Sequence, residues 1–307
     1  MVYMERGLGC KPLAVAFAVC CLGASFGMGN MVQGNSMAVG LEKAFHVPAF
    51  LSGSLCMIVV AVVLTGGMKR IAIFTERLVP VMAAIYLAGA MLVLFFYRDR
   101  IAGAFALIFQ EAFRSSAAVG GVAGYSMKQA VRMGIARGIF SNEAGLGSSV
   151  MAHAQSDVED PKVQGMWGIL EVFIDTVLVC TITALVILVS QVPYWQAGEI
   201  DGTTLTGMAF ASVIPWGKEF LAGATALFAF ATMIGWFYFG AQTADYLAGE
   251  KGVKVYRFCY ILITLPGCMI APTMIWELSD ALNGMMAVPN LLALFFLGKE
   301  VAYVGKK

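Results

Sequence analysis

The chain has 307 residues, 60% of them hydrophobic and only 13% charged, where soluble domains average about half apolar and about a quarter charged. So little polar surface cannot cover a water-soluble fold, and the composition is that of an integral membrane protein. A net charge of +1 without a basic stripe argues against a nucleic-acid partner. No hydrophilic block is long enough for a separate soluble domain, so residues 1–307 read as one transmembrane domain.

Windows of about 20 apolar residues mark spanning helices, and eight are read, at 12–40, 48–67, 78–97, 101–139 (interrupted), 164–191, 219–248, 256–271 and 273–298. The expected fold is therefore an all-α integral membrane protein. The last two spans are separated only by Pro266, Gly267 and Pro272. No cleavable signal peptide is visible. Twelve Lys and Arg residues, from Arg6 and Lys11 to Lys306 and Lys307, fall on one side, against Lys43, Arg98, Arg100 and Lys218 on the other. By the positive-inside rule both termini are expected in the cytoplasm.

The first span carries FGMGNMVQGNSM, in which Asn30, Gln33, Asn35 and Ser36 sit where unpaired amides are costly in hydrocarbon. They serve either a ligand site or helix-to-helix hydrogen bonding. In the fourth span Gly120, Gly121 and Gly124 crowd a helix interior that glycine disfavours. Either they admit a closely packed neighbour, or the helix breaks over 120–125 and offers its backbone to a ligand. GIFSNEAGLGSS follows, where Asn142 and Glu143 form either a solvated loop or an inner gate in which Glu143 pairs with an arginine.

The fifth span holds Glu171 and Asp175 on one helix face, and acidic residues inside a span mark function by default. In the sixth, Thr232 is the one mid-span aliphatic hydroxyl. It either bonds its own helix or supplies oxygen to a hard cation. The final span keeps a polar set of Glu277, Ser279, Asp280, Asn283 and Asn290. The seven cysteines and two histidines fall in no metal-ligand spacing. No GxxxxGK[ST], GxSxG or HExxH is present, so neither an enzyme nor a bound cofactor is expected.

Six stretches, FGMGNMVQGNSMA, TGGMKRIA, ERLVPVMA, ARGIFSNEAGLGS, FIDTVLVCTITALVIL and DALNGMMAVPNLLAL, together resemble the alanine/glycine:cation symporter family. The match runs from about residue 4 to residue 298. The resemblance implies the leucine-transporter type of inverted-repeat fold, with this chain matching core helices three to ten. The family's first two core helices, with their GTGN-like and GGPGAxFWMW-like segments, have no counterpart here. It also implies sodium-coupled symport of alanine or glycine by alternating access across the cytoplasmic membrane, with the amino acid, sodium and the lipid bilayer as partners. Alternatives are proton coupling through Asp175, or a truncated membrane protein that does not transport.

By the same resemblance Gln33 and Asn30 lie at the substrate site, and the stretch from Gly120 to Tyr125 corresponds to the family's broken sixth helix. Gly120, Gly121, Val122 and Gly124 are then substrate-binding. Thr232 and Phe228 fall where the fold's eighth helix binds sodium, with Ala231 standing where many relatives have Ser. Asn142, Glu143 and Asp175 are left as gate or structural polar residues.

Overall fold

The computed structural model describes residues 1–66, 68–112, 122–192 and 202–304, and these are almost wholly helical. The helices are α1 (Val2–Arg6), α2 (Lys11–Phe45), α3 (Ala49–Thr65), α4 (Met68–Phe96), α5 (Arg98–Ala112), α6 (Val122–Asn142) and α7 (Ser149–His153). They continue with α8 (Pro161–Ser190), α9 (Gly202–Ala211), α10 (Gly217–Met269) and α11 (Pro272–Val304). Among the described residues five helices are long and apolar enough to cross a membrane, and α3 is a shorter apolar one. Large apolar side chains point outward along them, as with Phe295 at 81% exposure. That is a lipid-facing surface, and the chain is a multi-pass all-α membrane protein.

The expected boundaries have local causes. Pro12 stands in the first turn of α2, where its missing N–H costs nothing, and His46 ends the helix in a left-handed conformation. The expected gap between residues 248 and 256 is a single residue. Within α10, Gly249 has φ 63° and ψ −160°, a backbone state open essentially to glycine, so α10 is two helical stretches joined there. Pro266 does not end the helix, which runs on to Met269 before α11 begins at Pro272. Asn35 Nδ2 donates to the carbonyls of Gly267 (3.2 Å) and Ile270 (2.8 Å), giving partners to two carbonyls at the end of α10.

Among the described residues, two helices contain π-helical turns, Gly27–Val32 within α2 and Phe173–Val179 within α8. Such wide turns are uncommon and gather at functional sites.

The chain divides into two compact units. The first comprises Met1–Ala83, Glu143–Ile169 and Ala222–Lys307. Its core joins Met37 and Ala38 of α2 and Cys56, Val60 and Leu64 of α3 to Met233, Phe237, Tyr256 and Tyr260 of α10. Phe237 stacks on Tyr256 at 5.4 Å, and Tyr260 donates to the Met233 carbonyl at 2.7 Å, so its buried hydroxyl is satisfied. The second unit comprises Ala84–Asn142 and Leu170–Leu221. There Tyr86 packs on Phe210 at 5.7 Å and shares a 2.6 Å hydrogen bond with Thr183. Arg100 donates to the Val189 carbonyl at 3.1 Å. The ten-residue α9, which carries Phe210, is too short to stand out as a span.

Candidate functional site

In the first unit the polar residues of α2 gather at its π turn. Asn30 is fully buried, and its Nδ2 donates to the Tyr260 carbonyl (2.9 Å) and to Thr264 Oγ1 (3.1 Å) on α10. Gln33 begins the α-helical stretch after the π turn and is half-buried. Its Nε2 donates to the Met28 carbonyl at 3.2 Å, while Oε1 makes no hydrogen bond among the described residues. One end of the amide is thus held and the other can accept from a ligand N–H.

Gly29 lies directly against Trp236. A Cβ built there would sit 2.4 Å from Trp236 Cβ and 2.7 Å from Cγ. The indole, 2% exposed, donates through Nε1 to Glu143 Oε1 at 2.8 Å. Ser148 Oγ donates to the other carboxylate oxygen at 2.5 Å. The Glu143 loop is fixed further by Asn290, whose Nδ2 donates to the Gly145 carbonyl at 2.9 Å and whose Oδ1 accepts from the Tyr3 hydroxyl. Burial pushes the Tyr3 phenol up to about 12, so it remains a donor throughout neutral pH. Glu143 is therefore neither a merely wet loop residue nor defined by an arginine alone. Its carboxylate ties the SNEAGLGS loop to α10.

This arrangement predicts the outcome of Trp236→Phe, which keeps a ring against Gly29 and removes the donor to Glu143. A hydrogen bond to a charged group is worth about 1.5–3 kcal/mol, and Glu143 is partly exposed, so the expected loss of stability is about 1 kcal/mol. An unchanged melting temperature in detergent would show that the indole N–H holds nothing.

Thr232 Oγ1 donates to the Phe228 carbonyl at 2.9 Å, one turn back on α10. That local bond leaves the hydroxyl oxygen lone pairs for a cation, and the two residues form one contiguous pair of oxygens. In the second unit Asp175 sits in the π turn of α8. Its Oδ2 accepts from Ser141 at 2.5 Å and from Thr176 at 3.4 Å, and Asn142 Nδ2 donates to Thr176 Oγ1 at 2.8 Å. Asn142 and Asp175 thus meet in one polar cluster linking α6 to α8.

Gly120 and Gly121 lie outside the described residues. Val122 and Gly124 do not: they form the first turn of α6. The expectation of unwound backbone at these two positions is not met, because helical hydrogen bonding already begins at Val122.

Sequence reasoning did not single out Trp236, Ser148, Gly29, Tyr260 or Thr264. Only the tryptophan within IGWFYFG, an amphipathic ring in an otherwise apolar run, gave a signal of its own.

A model of the sodium:alanine symporter family matches residues 1–307. The chain is 37% identical over 298 residues to the sodium/alanine symporter AgcS of Methanococcus maripaludis, covering 97% of this chain and 65% of that protein. It is 36% identical over 304 residues to an uncharacterized transporter of Haemophilus influenzae, covering 98% of this chain and 66% of the relative. It is also 36% identical over 302 residues to the probable sodium/glutamine symporter GlnT of Bacillus subtilis, covering 97% and 62%. The chain thus spans somewhat under two thirds of the length of these curated relatives.

Proposed function

This chain belongs to the sodium:alanine symporter family, and we propose that it acts in sodium-coupled symport of a small neutral amino acid, alanine or glycine, by alternating access. Supporting this is Gln33 at the end of the α2 π turn, with Nε2 anchored on the Met28 carbonyl and Oε1 open to a substrate ammonium. The amino acid needs no covalent step, only polar groups that replace its hydration inside the membrane. Gly120, Gly121, Val122 and Gly124 are substrate-binding in this reading, and Thr232 with the Phe228 carbonyl contributes oxygen to sodium. The Lys and Arg asymmetry supports a cytoplasmic position for both ends of this chain.

The test is uptake of labelled alanine by vesicles carrying the protein, with an inward sodium gradient, a proton gradient, or neither. The expected result is accumulation only with sodium, competed by excess glycine. Accumulation driven by protons without sodium would overturn the coupling ion. Competition by glutamine and not by glycine would reassign the substrate.

A further inference from the structure

The buried polar stripe on α11 has no part in the amino-acid site above. Ser279 and Asn283 stand four residues apart, on one face of the helix, at 0% and 6% exposure. That face meets the π turn of α2. Asn283 Nδ2 lies 2.9 Å from Met28 Sδ, and a Cβ on Gly27 would lie 3.1 Å from Ser279 Oγ, so α2 approaches α11 closely at the hydroxyl. Ser279 Oγ and Asn283 Oδ1 nonetheless have no hydrogen-bond partner among the described residues. A third oxygen in the same condition, Asn30 Oδ1, belongs to the same π turn. Buried polar atoms left unpaired are costly and call for an explanation.

The chemistry of these atoms narrows what satisfies them. The orientation of the Asn283 amide follows from Met28: thioether sulfur accepts but cannot donate, so the NH₂ faces it and the carbonyl oxygen faces away. Rotating the amide would set two acceptors against each other. An amide oxygen accepts only, and a serine hydroxyl accepts as readily as it donates. What the pair lacks is a hydrogen-bond donor or a centre of positive charge. Oxygen ligands select a hard cation. Among the described residues no group of three His, Cys, Asp or Glu is placed to hold a metal ion, and neutral oxygens suit a monovalent ion better than a divalent one.

We propose that Ser279 Oγ and Asn283 Oδ1, on the face of α11 that packs against the α2 π turn, form a binding site for a monovalent cation of the size of sodium. This site is distinct from that of Thr232 and Phe228. It joins α11 to the helix that carries Gln33, so an ion there tightens the π turn beside the amino-acid position.

The experiment is equilibrium binding of radioactive sodium to the purified protein at constant ionic strength, with choline as the replacing ion. Ser279→Ala removes one oxygen with little change in volume, and it is expected to weaken one class of sodium sites about tenfold, as loss of a polar contact to a charge does. Asn283→Asp exchanges a neutral oxygen for a charged one and is expected to tighten the same class by about as much. Both variants are checked by melting temperature with and without sodium, the sodium-induced rise shrinking in the first and growing in the second. Unchanged sodium binding in both folded variants, or equal weakening in both, would overturn the proposal and leave these oxygens to water or to packing. Binding is read without any amino acid, so failure of alanine uptake and failure of this site are separate results.

Discussion

Gly29→Ala is expected to leave little folded protein, although alanine is the better helix former by about 1 kcal/mol in a helix interior. The added methyl group would overlap Trp236 Cβ at 2.4 Å, Cγ at 2.7 Å and Cδ2 at 3.0 Å. Contacts under 3 Å are relieved only by moving something, and here neither side is free to move. Trp236 is buried and its indole is held by Glu143, while the Gly29 carbonyl lies 3.2 Å from the Tyr260 hydroxyl, whose one proton it shares with the nearer Met233 carbonyl. Overpacking of this kind costs about 1–3 kcal/mol and occasionally more, and backbone on one side with a Cβ on the other puts this position at the upper end. The check is yield and melting temperature beside Gly235→Ala. Gly235 lies in α10, one residue from Trp236, with nothing within 4 Å of a built Cβ. Gly235→Ala should be neutral or mildly stabilising. Equal behaviour of the two variants would mean that the Gly29–Trp236 approach is looser than described.

Much of the fold could be read directly because membrane helices follow from runs of apolar residues, with no need to know their partners. The break at Gly249 is one example: the gap between two apolar windows coincides with a positive φ that glycine alone adopts readily. Pro266 is the counterexample. A proline near the last turn of a helix forfeits only the bond to the carbonyl four residues back, and the carbonyls left open by the helix end itself can be capped from elsewhere, as Asn35 does for Gly267 and Ile270. Nothing within a few residues of Pro266 announces that Asn35 will supply this.

The site was legible in its residue types and not in its pairings. That Asn30 and Glu143 require partners follows from burial energetics alone. That the partners are Tyr260 and Thr264 for Asn30, and Trp236 and Ser148 for Glu143, depends on helix packing over separations of up to 234 residues. The two π turns were invisible for a different reason. Each widens the helix locally and leaves the hydrophobic run unbroken, so no periodicity in the sequence marks it.

Gln33→Ala is expected to weaken binding of alanine about tenfold to a hundredfold, the equivalent of about 1.5–3 kcal/mol for a hydrogen bond to a charged group. The side chain makes one bond within its own helix, from Nε2 to the Met28 carbonyl at 3.2 Å. Losing it alone would cost about 1 kcal/mol of stability and would leave affinity nearly untouched, since Met28 O also faces the end of a π turn whose geometry other contacts hold. Asn30 anchors that turn to α10 through two bonds, and the Gly29 carbonyl adds a share of the Tyr260 hydroxyl proton. The two roles therefore separate in measurement. A substrate ligand shows a large change in the dissociation constant for alanine with a small change in melting temperature. A local brace shows the reverse. Gln33→Glu sharpens the contrast, because a carboxylate keeps an acceptor for the substrate ammonium and gives up the donor to Met28. If Gln33→Glu retains alanine binding that Gln33→Ala has lost, Oε1 is the atom that meets the substrate; if both variants bind as the parent does, Gln33 serves the helix only.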